Sequence, residues 1–263
     1  MKKILIIFIF FLLGISANAV TNQSIIEEEV GWKDRLGDEI NKSSLIIDKD
    51  GIEQNLEAIL DKTKPTVFIF AYYTCPKLCT FLLDGAAEVV LAVNKIRPGL
   101  DYNLITLSFD PTDIPEYSQA KEVKYSEDLE KNESWRFFTG SEESIKSIAD
   151  SVGFKFVKDG DEFAHPSGII ILTKHGRVSR YLSGVLFDKK DFKLALLEAS
   201  DGVIGNSSIS DKVLLYCYGF DPIGRKYALK ALNVIKLGGV LTLLLIGVFM
   251  FFMWFKKKGG TSK

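Results

Sequence analysis

From Leu237 to Phe255 the chain carries no charged side chain, and Lys256-Lys257-Lys258 follow at once. Nineteen residues at a rise of about 1.5 Å make a helix of about 28 Å, which matches a hydrocarbon layer of about 30 Å. Gly238, Gly239 and Gly247 weaken a soluble helix but are common in membrane helices, and Trp254 stands at the boundary where aromatic residues collect. The segment 235–255 is therefore expected to be a transmembrane helix. The lysines after it place the tail 256–263 in the cytoplasm by the positive-inside rule. The other end is also apolar. Lys2 and Lys3 precede the run Ile4 to Leu13, and Ala17-Asn18-Ala19 has the small-x-small form of a signal-peptidase site. Residues 1–19 are expected to be a cleaved signal peptide, with the run too short to be an anchor. An exported start and a cytoplasmic tail agree on topology: a single pass through the inner membrane, with the soluble part on the periplasmic side.

The segment between the two ends is long enough for one domain with a substantial core. Of the 33 basic residues, seven lie in the apolar ends, whereas all 34 acidic residues lie between them, which leaves the middle with a balance of -8. An acidic ectodomain without a basic stripe does not bind nucleic acid.

Within it, Thr66 to Tyr73 is β-branched and aromatic throughout and reads as a strand buried on both faces. Pro76 stands where a helix opens, and Leu78, Leu82, Leu83, Ala86, Ala87, Val90 and Val93 recur at helical spacing up to Arg97-Pro98-Gly99. A second strand over Asn103 to Phe109, a helix over Glu116 to Lys131, a short strand at Trp135 to Phe138 and a helix from Ser144 to Val152, with Ser141 as its N-cap, continue the pattern. Gly168 to Thr173 and Arg177 to Leu182 flank Lys174-His175-Gly176 as a hairpin, and Asp188 to Ser200 is a last amphipathic helix. Ser44 to Ile47 with the turn Asp48-Lys49-Asp50-Gly51 adds a strand upstream. This alternation predicts an α/β sheet covered by helices. The domain is expected over 20–200, and 201–234, rich in Gly and Ser at its start and containing Cys217, is a juxtamembrane linker.

The chemistry concentrates where the first central strand meets its helix, in Tyr73-Thr74-Cys75-Pro76-Lys77-Leu78-Cys79. Ligands of α/β sheets usually bind beyond the carboxyl ends of strands. Cys75 at a helix N-terminus is set for a stabilised thiolate, and Cys79 one turn on shares its face. Such a pair serves equally as a redox couple or as a clamp on a soft metal ion. A bridge across so short a loop removes little chain entropy, which makes a purely structural disulfide a poor use of it. Three residues between the cysteines depart from the two of a thioredoxin motif, and Tyr72 stands where a peroxiredoxin needs Thr. The three methionines are all in the apolar ends, so Met-rich copper binding is excluded, and the soft or borderline ligands of the ectodomain are Cys75, Cys79, Cys217, His165 and His175. His165 precedes the apolar hairpin and His175 sits at its tip. Two thiolates and one imidazole suit copper in either oxidation state.

These residues resemble the Sco/SenC family, thioredoxin-fold copper proteins of cytochrome c oxidase assembly. The resemblance runs through Leu36-Gly37, Lys64-Pro65, Tyr72 to Cys79, Leu107-Ser108-Phe109-Asp110-Pro111, Trp135 to Gly140, His165 and Arg177 to Gly184. It implies a thioredoxin-like α/β fold with an N-terminal extension, copper held by Cys75, Cys79 and His165, Asp110 as an outer group behind those ligands, and delivery of copper ion to the dinuclear centre of oxidase subunit II. Many members have an N-terminal transmembrane anchor. Here the anchor is at the C-terminus, and Leu215 to Tyr227, with Cys217, is similar to the extension of a C-terminally anchored branch. A thiol–disulfide oxidoreductase, with Cys75 attacking and Cys79 resolving, is the alternative.

Overall fold

The computed structural model describes residues 30–200 apart from 76, 94, 128 and 130–133, and then 218–221, 226–229 and 231–258. It divides into two units, Met1–Asn206 and Ser207–Lys263. The expected signal peptide, most of the linker, Cys217 and Pro76 lie outside the described residues.

The first unit runs β1 (Gly31–Trp32), β2 (Leu45–Ile47), β3 (Glu53–Asn55), α1 (Leu56–Ile59), β4 (Thr66–Phe70), α2 (Leu78–Ala92), β5 (Asn103–Leu107), α3 (Pro115–Ser126), β6 (Arg136–Phe138), α4 (Glu142–Ser151), β7 (Phe154–Lys155), β8 (Val157–Asp159), β9 (Glu162–Ala164), β10 (Gly168–Leu172), β11 (Val178–Ser183) and α5 (Lys189–Ala199). Five strands form the central sheet in the order β11-β10-β4-β5-β6. β4, β5 and β6 are parallel, while β10 is antiparallel to both β4 and β11. Every residue of β4, β5 and β10 is buried, the signature of strands covered on both faces. The parallel crossovers are made by α2 and α3, as the alternation requires. α5 packs on β10 and β11 and touches α2, α3 lies against β6, and α4 lies against β7.

Helix ends follow local chemistry. The Ser141 side chain accepts from the Ser144 N–H, and Asp188 accepts from the N–H groups of Lys190 and Asp191. Pro115 opens α3. Several expected boundaries shift. β4 stops at Phe70 rather than Tyr73, because the next three residues leave the ladder to build the sulfur loop. α2 begins at Leu78, the first residue of its apolar spacing, with Lys77 as its cap, two residues later than the start expected at Pro76. α3 ends at Ser126, short of Lys131. The short pairs β2–β3, β1–β7 and β8–β9 each stand outside the central sheet.

The second unit has a hairpin, β12 (Tyr218–Asp221) with β13 (Lys226–Leu229), in which Phe220 faces Tyr227, followed by α6 (Ala231–Lys258). The stretch Asn233–Met250 is long and apolar enough to cross a membrane, and none of it is buried. Its large apolar side chains are exposed, Leu243, Phe249 and Met250 by more than half, which water does not tolerate over such a length.

Gly85 fixes the depth at which α2 seats. A Cβ there meets the Val185 carbonyl oxygen at 1.9 Å. In a helix interior Gly85→Ala gains about 1 kcal/mol of propensity, but overpacking against rigid backbone costs about 1–3 kcal/mol or more. Gly85→Ala is therefore expected to lower stability in urea unfolding, and a gain in stability contradicts this seating of α2.

Candidate metal centre

Strand register brings the three expected donors to one edge. Ile169 of β10 faces Ile69 of β4 in an antiparallel ladder, so residues just before β10 lie beside residues just after β4. That pairing carries His165 alongside the Tyr72–Cys79 loop. On the other side, Phe70 pairs with Leu107 in parallel and the Ala71 N–H donates to the Leu107 carbonyl at 3.2 Å, so Ser108 to Asp113 leave β5 at the same edge.

Cys79, in the first turn of α2, is only 2 % exposed, whereas Cys75 is half-buried in the loop before the helix. The Cys79 N–H points to the Cys75 sulfur at 3.4 Å. The expectation of two sulfurs on one face of a helical turn is thus met differently: Cys75 sits outside α2 and caps its first turn. Cys79 Sγ lies 3.9 Å from His165 Nε2. His165 Nδ1 is 3.0 Å from the Pro166 carbonyl oxygen, which can only accept, so the proton is on Nδ1 and the Nε2 lone pair is free towards the sulfur. Ligand distances of about 2.3 Å for sulfur and about 2.1 Å for imidazole put two donors on a trigonal ion about 3.8 Å apart. The Cys79–His165 pair has that separation, and its donor set suits a soft ion. Among the described residues, no three His, Cys, Asp or Glu side chains are already gathered into a complete cage.

The two thiols differ electrostatically. Burial alone would raise Cys75, but hydrogen bonds from the Tyr72 hydroxyl and the N–H groups of Cys79 and Lys77 outweigh it and hold the thiol below its ordinary value. Burial pushes Cys79 far up, with the neighbouring Cys75 adding to the rise. Burial lowers His165 despite the Pro166 carbonyl, so its imidazole is neutral at pH 7.

A wall of aromatic rings holds the imidazole. Phe109 lies 4.9 Å from it, Tyr72 6.1 Å and Phe154 6.3 Å. The β8–β9 hairpin, which sequence periodicity did not reveal, delivers it: Phe163 packs on Tyr72 at 5.3 Å and on Phe109 at 5.5 Å. His175 is exposed at the tip of the β10–β11 hairpin and belongs to no such cluster. Asp110 ties its own turn, accepting from the N–H and hydroxyl of Thr112 at 2.9 and 2.7 Å.

Asp113, which the sequence reading passed over, reaches the cysteine loop. Its Oδ2 accepts from the Tyr73 N–H and from the Ser108 hydroxyl, both at 2.6 Å, while its buried Oδ1 finds no hydrogen-bond partner among the described residues. The position of Asp113 two residues after Pro111 is a signal for a turn, and only the folded register shows that the turn faces Tyr73. Tyr73 is fixed at its other end too, its hydroxyl donating to the Phe138 carbonyl at 2.6 Å.

The model of the SCO1/SenC family matches residues 38–193. The chain belongs to the SCO1/SenC family. No curated protein matches the chain. Among solved structures, it is similar to a putative electron transfer protein from Aquifex aeolicus VF5, with 24% identity over 64% of this chain and 96% of that one and a TM-score of 0.58. It is also similar to BsSco, described with a disulfide switch as a member of the Sco family of cytochrome c oxidase assembly proteins, with 22% identity over 64% and 97% of the chains and a TM-score of 0.51. ScoI of Arabidopsis thaliana, solved with copper bound, shares 21% identity over 62% of this chain and 95% of that one, with a TM-score of 0.47. The fold of this SCO1/SenC member is thus the thioredoxin-like one, with, among the described residues, one helix near the C-terminus long and apolar enough to cross a membrane.

Burial raises the Asp113 carboxyl above its ordinary range, with Asp110 adding to the rise and the bonds from Ser108 and Tyr73 opposing it. A folded pKa above the unfolded one makes the native state bind the extra proton. Its contribution to stability is full below the unfolded value of about 3.9 and is lost as pH rises through the folded value. Urea unfolding of the native chain and Asp113→Asn between pH 4 and pH 7 is expected to show the native chain losing ground to the variant as pH rises. A difference that is flat or of opposite slope contradicts the burial of a charged Asp113.

Proposed function

We propose that this protein is a membrane-tethered copper chaperone, in which Cys75, Cys79 and His165 hold one copper ion as cargo for the dinuclear centre of cytochrome c oxidase subunit II. The observation that carries the reading is the approach of Cys79 Sγ to within 3.9 Å of an unprotonated His165 Nε2, with a third soft donor, the Cys75 sulfur, 3.4 Å from the Cys79 N–H. A donor set of two sulfurs and one nitrogen favours copper over hard cations. A trigonal site with one half-exposed thiol leaves a side open for an incoming ligand, so that cargo passes by exchange of one donor at a time. Asp110 acts behind the ligands, through the turn it ties next to Phe109.

The membrane arrangement belongs to the same reading. The signal peptide 1–19 is removed, 20–200 lies on the periplasmic side, 201–234 connects it to the helix 235–255, and 256–263 remains in the cytoplasm. The tether keeps the thiols near membrane-bound clients, and the acidic ectodomain adds charge complementarity to encounter.

The asymmetry of the thiols supports a second reading, thiol–disulfide exchange. Cys75, half-buried and with its thiol held below the ordinary value by hydrogen bonds, attacks a partner disulfide as its thiolate, forming a mixed disulfide and expelling one partner thiolate. Cys79 then attacks the Cys75 sulfur, which releases the second partner thiol and leaves the Cys75–Cys79 disulfide. The partner is reduced and this chain oxidised.

Titration of the reduced full-length chain in detergent with Cu(I), against a chromophoric chelator, separates the readings. The chaperone binds one ion per chain, and His165→Ala weakens it by more than a hundredfold, given that even outer partners of ligands are worth about 10–100-fold. Normal affinity in His165→Ala, together with mixed disulfides trapped by Cys79→Ser, gives the function to exchange instead.

A further inference from the structure

The ladder between β4 and β5 is continued by the bond from the Ala71 N–H to the Leu107 carbonyl, and beyond it each chain makes a tight turn. After β4, the Cys75 N–H donates to the Tyr72 carbonyl at 3.4 Å, with Tyr73 and Thr74 at the bend. After β5, the Asp113 N–H donates to the Asp110 carbonyl at 3.2 Å. A β-turn's own hydrogen bond runs between its first and last residues and leaves the N–H of the second one over. In the cysteine turn that residue is Tyr73, which is only 5 % exposed, so water does not supply the missing acceptor. Asp113 Oδ2 supplies it at 2.6 Å, and the Ser108 hydroxyl fixes the same oxygen at 2.6 Å. One buried carboxylate thus fastens the turn that presents Cys75 to the end of β5.

We propose that Asp113 is a positioning residue of the metal centre, setting Cys75 by clipping its turn to β5 through the Tyr73 N–H. The three donors are not held alike. Cys79 belongs to the first turn of α2, and His165 leans on Phe109 at 4.9 Å. Cys75 lies before the helix, and its sulfur stands 3.4 Å from the Cys79 N–H only while its turn keeps its place. The clip acts on that turn at the backbone, two residues before the sulfur. Stability alone does not account for a carboxylate here. Burying one is costly, its Oδ1 has no hydrogen-bond partner among the described residues, and a neutral side chain would fill the space without that cost. Outer groups that orient ligands are commonly worth about 10–100-fold in metal affinity. The inference deepens the copper reading and rests on it, but the clip also holds the turn of the metal-free chain.

The test compares Asp113→Ala, Asp113→Asn and Tyr73→Phe in the full-length chain in detergent. Ala removes the acceptor, whereas Asn keeps one oxygen for the Tyr73 N–H and the Ser108 hydroxyl. Tyr73→Phe breaks the bonds at the other end of the same residue, from its hydroxyl to the Phe138 backbone, and spares the clip. Two quantities are read: Cu(I) affinity by chelator competition, and hydrogen exchange of the Cys75 and Cys79 amides in the metal-free chain, against the β4 amides Val67 to Phe70. Asp113→Ala is expected to lower affinity about tenfold or more and to speed exchange at the two cysteines more than in β4. Asp113→Asn is expected to restore both readouts to within about threefold of the native chain. Tyr73→Phe is expected to lower the unfolding midpoint and leave both in place. Should Asp113→Ala not fold, Ser108→Ala, which takes one of the two bonds from Oδ2, replaces it, with a loss of about threefold in affinity. Unchanged affinity in the clip variant while the native chain binds copper, exchange that rises equally in β4, no rescue by Asn, or an equal loss of affinity in Tyr73→Phe makes Asp113 a stability residue and overturns the inference. A native chain that binds no copper, combined with faster exchange confined to the cysteine turn in Asp113→Ala, removes the copper reading and leaves the clip standing.

Discussion

The antiparallel ladder between β4 and β10 decides where the donors can be. Parallel pairing would carry the start of β10 to the opposite end of β4, more than the length of a five-residue strand away from the sulfurs. With Ile169 opposite Ile69, the chain before β10 and the chain after β4 leave the sheet at the same edge. β5, parallel to β4, delivers Phe109 and Asp113 to that edge as well. Beyond the strand ends the chain is spent on the site: the Tyr73 N–H after β4 and the Ser108 hydroxyl after β5 meet on one carboxylate oxygen, Oδ2 of Asp113.

The site that results is stiff on one side and open on the other. Cys79 is buried and His165 half-buried against aromatic rings, which keeps the thiol protonated and the imidazole neutral. Cys75 lies at the edge, where hydrogen bonds favour its thiolate. Low polarity around a pair of donors makes their attraction for a cation strong, and an accessible third donor gives a way in and out. Storage and release therefore divide between different residues of one short motif.

Much of this was legible in the sequence. The buried strands, the order of helices and the β10–β11 hairpin follow from hydrophobic period and turn residues. So does the cap at Ser141. Cys75 and Cys79 announce themselves by spacing, and His165 by resemblance to a family. What sequence did not show is long-range. The β8–β9 hairpin has too few residues per strand for a periodic signal, and its role depends on Phe163 meeting Tyr72, 91 positions away. Asp113 and Asp110 are equivalent turn acids until the fold directs one to Tyr73 and the other to Thr112. The helix start at Leu78 rather than Pro76 follows from the sulfur loop, because the cap position is taken up in presenting Cys75 to the Cys79 N–H.

X-ray absorption at the copper edge of the full-length chain loaded with one Cu(I) tests the central claim most directly, since it counts donors by element. The account predicts two sulfur ligands and one imidazole nitrogen on each ion, with the nitrogen lost in His165→Ala. A spectrum with oxygen and nitrogen neighbours alone, or one that is the same in His165→Ala, contradicts it.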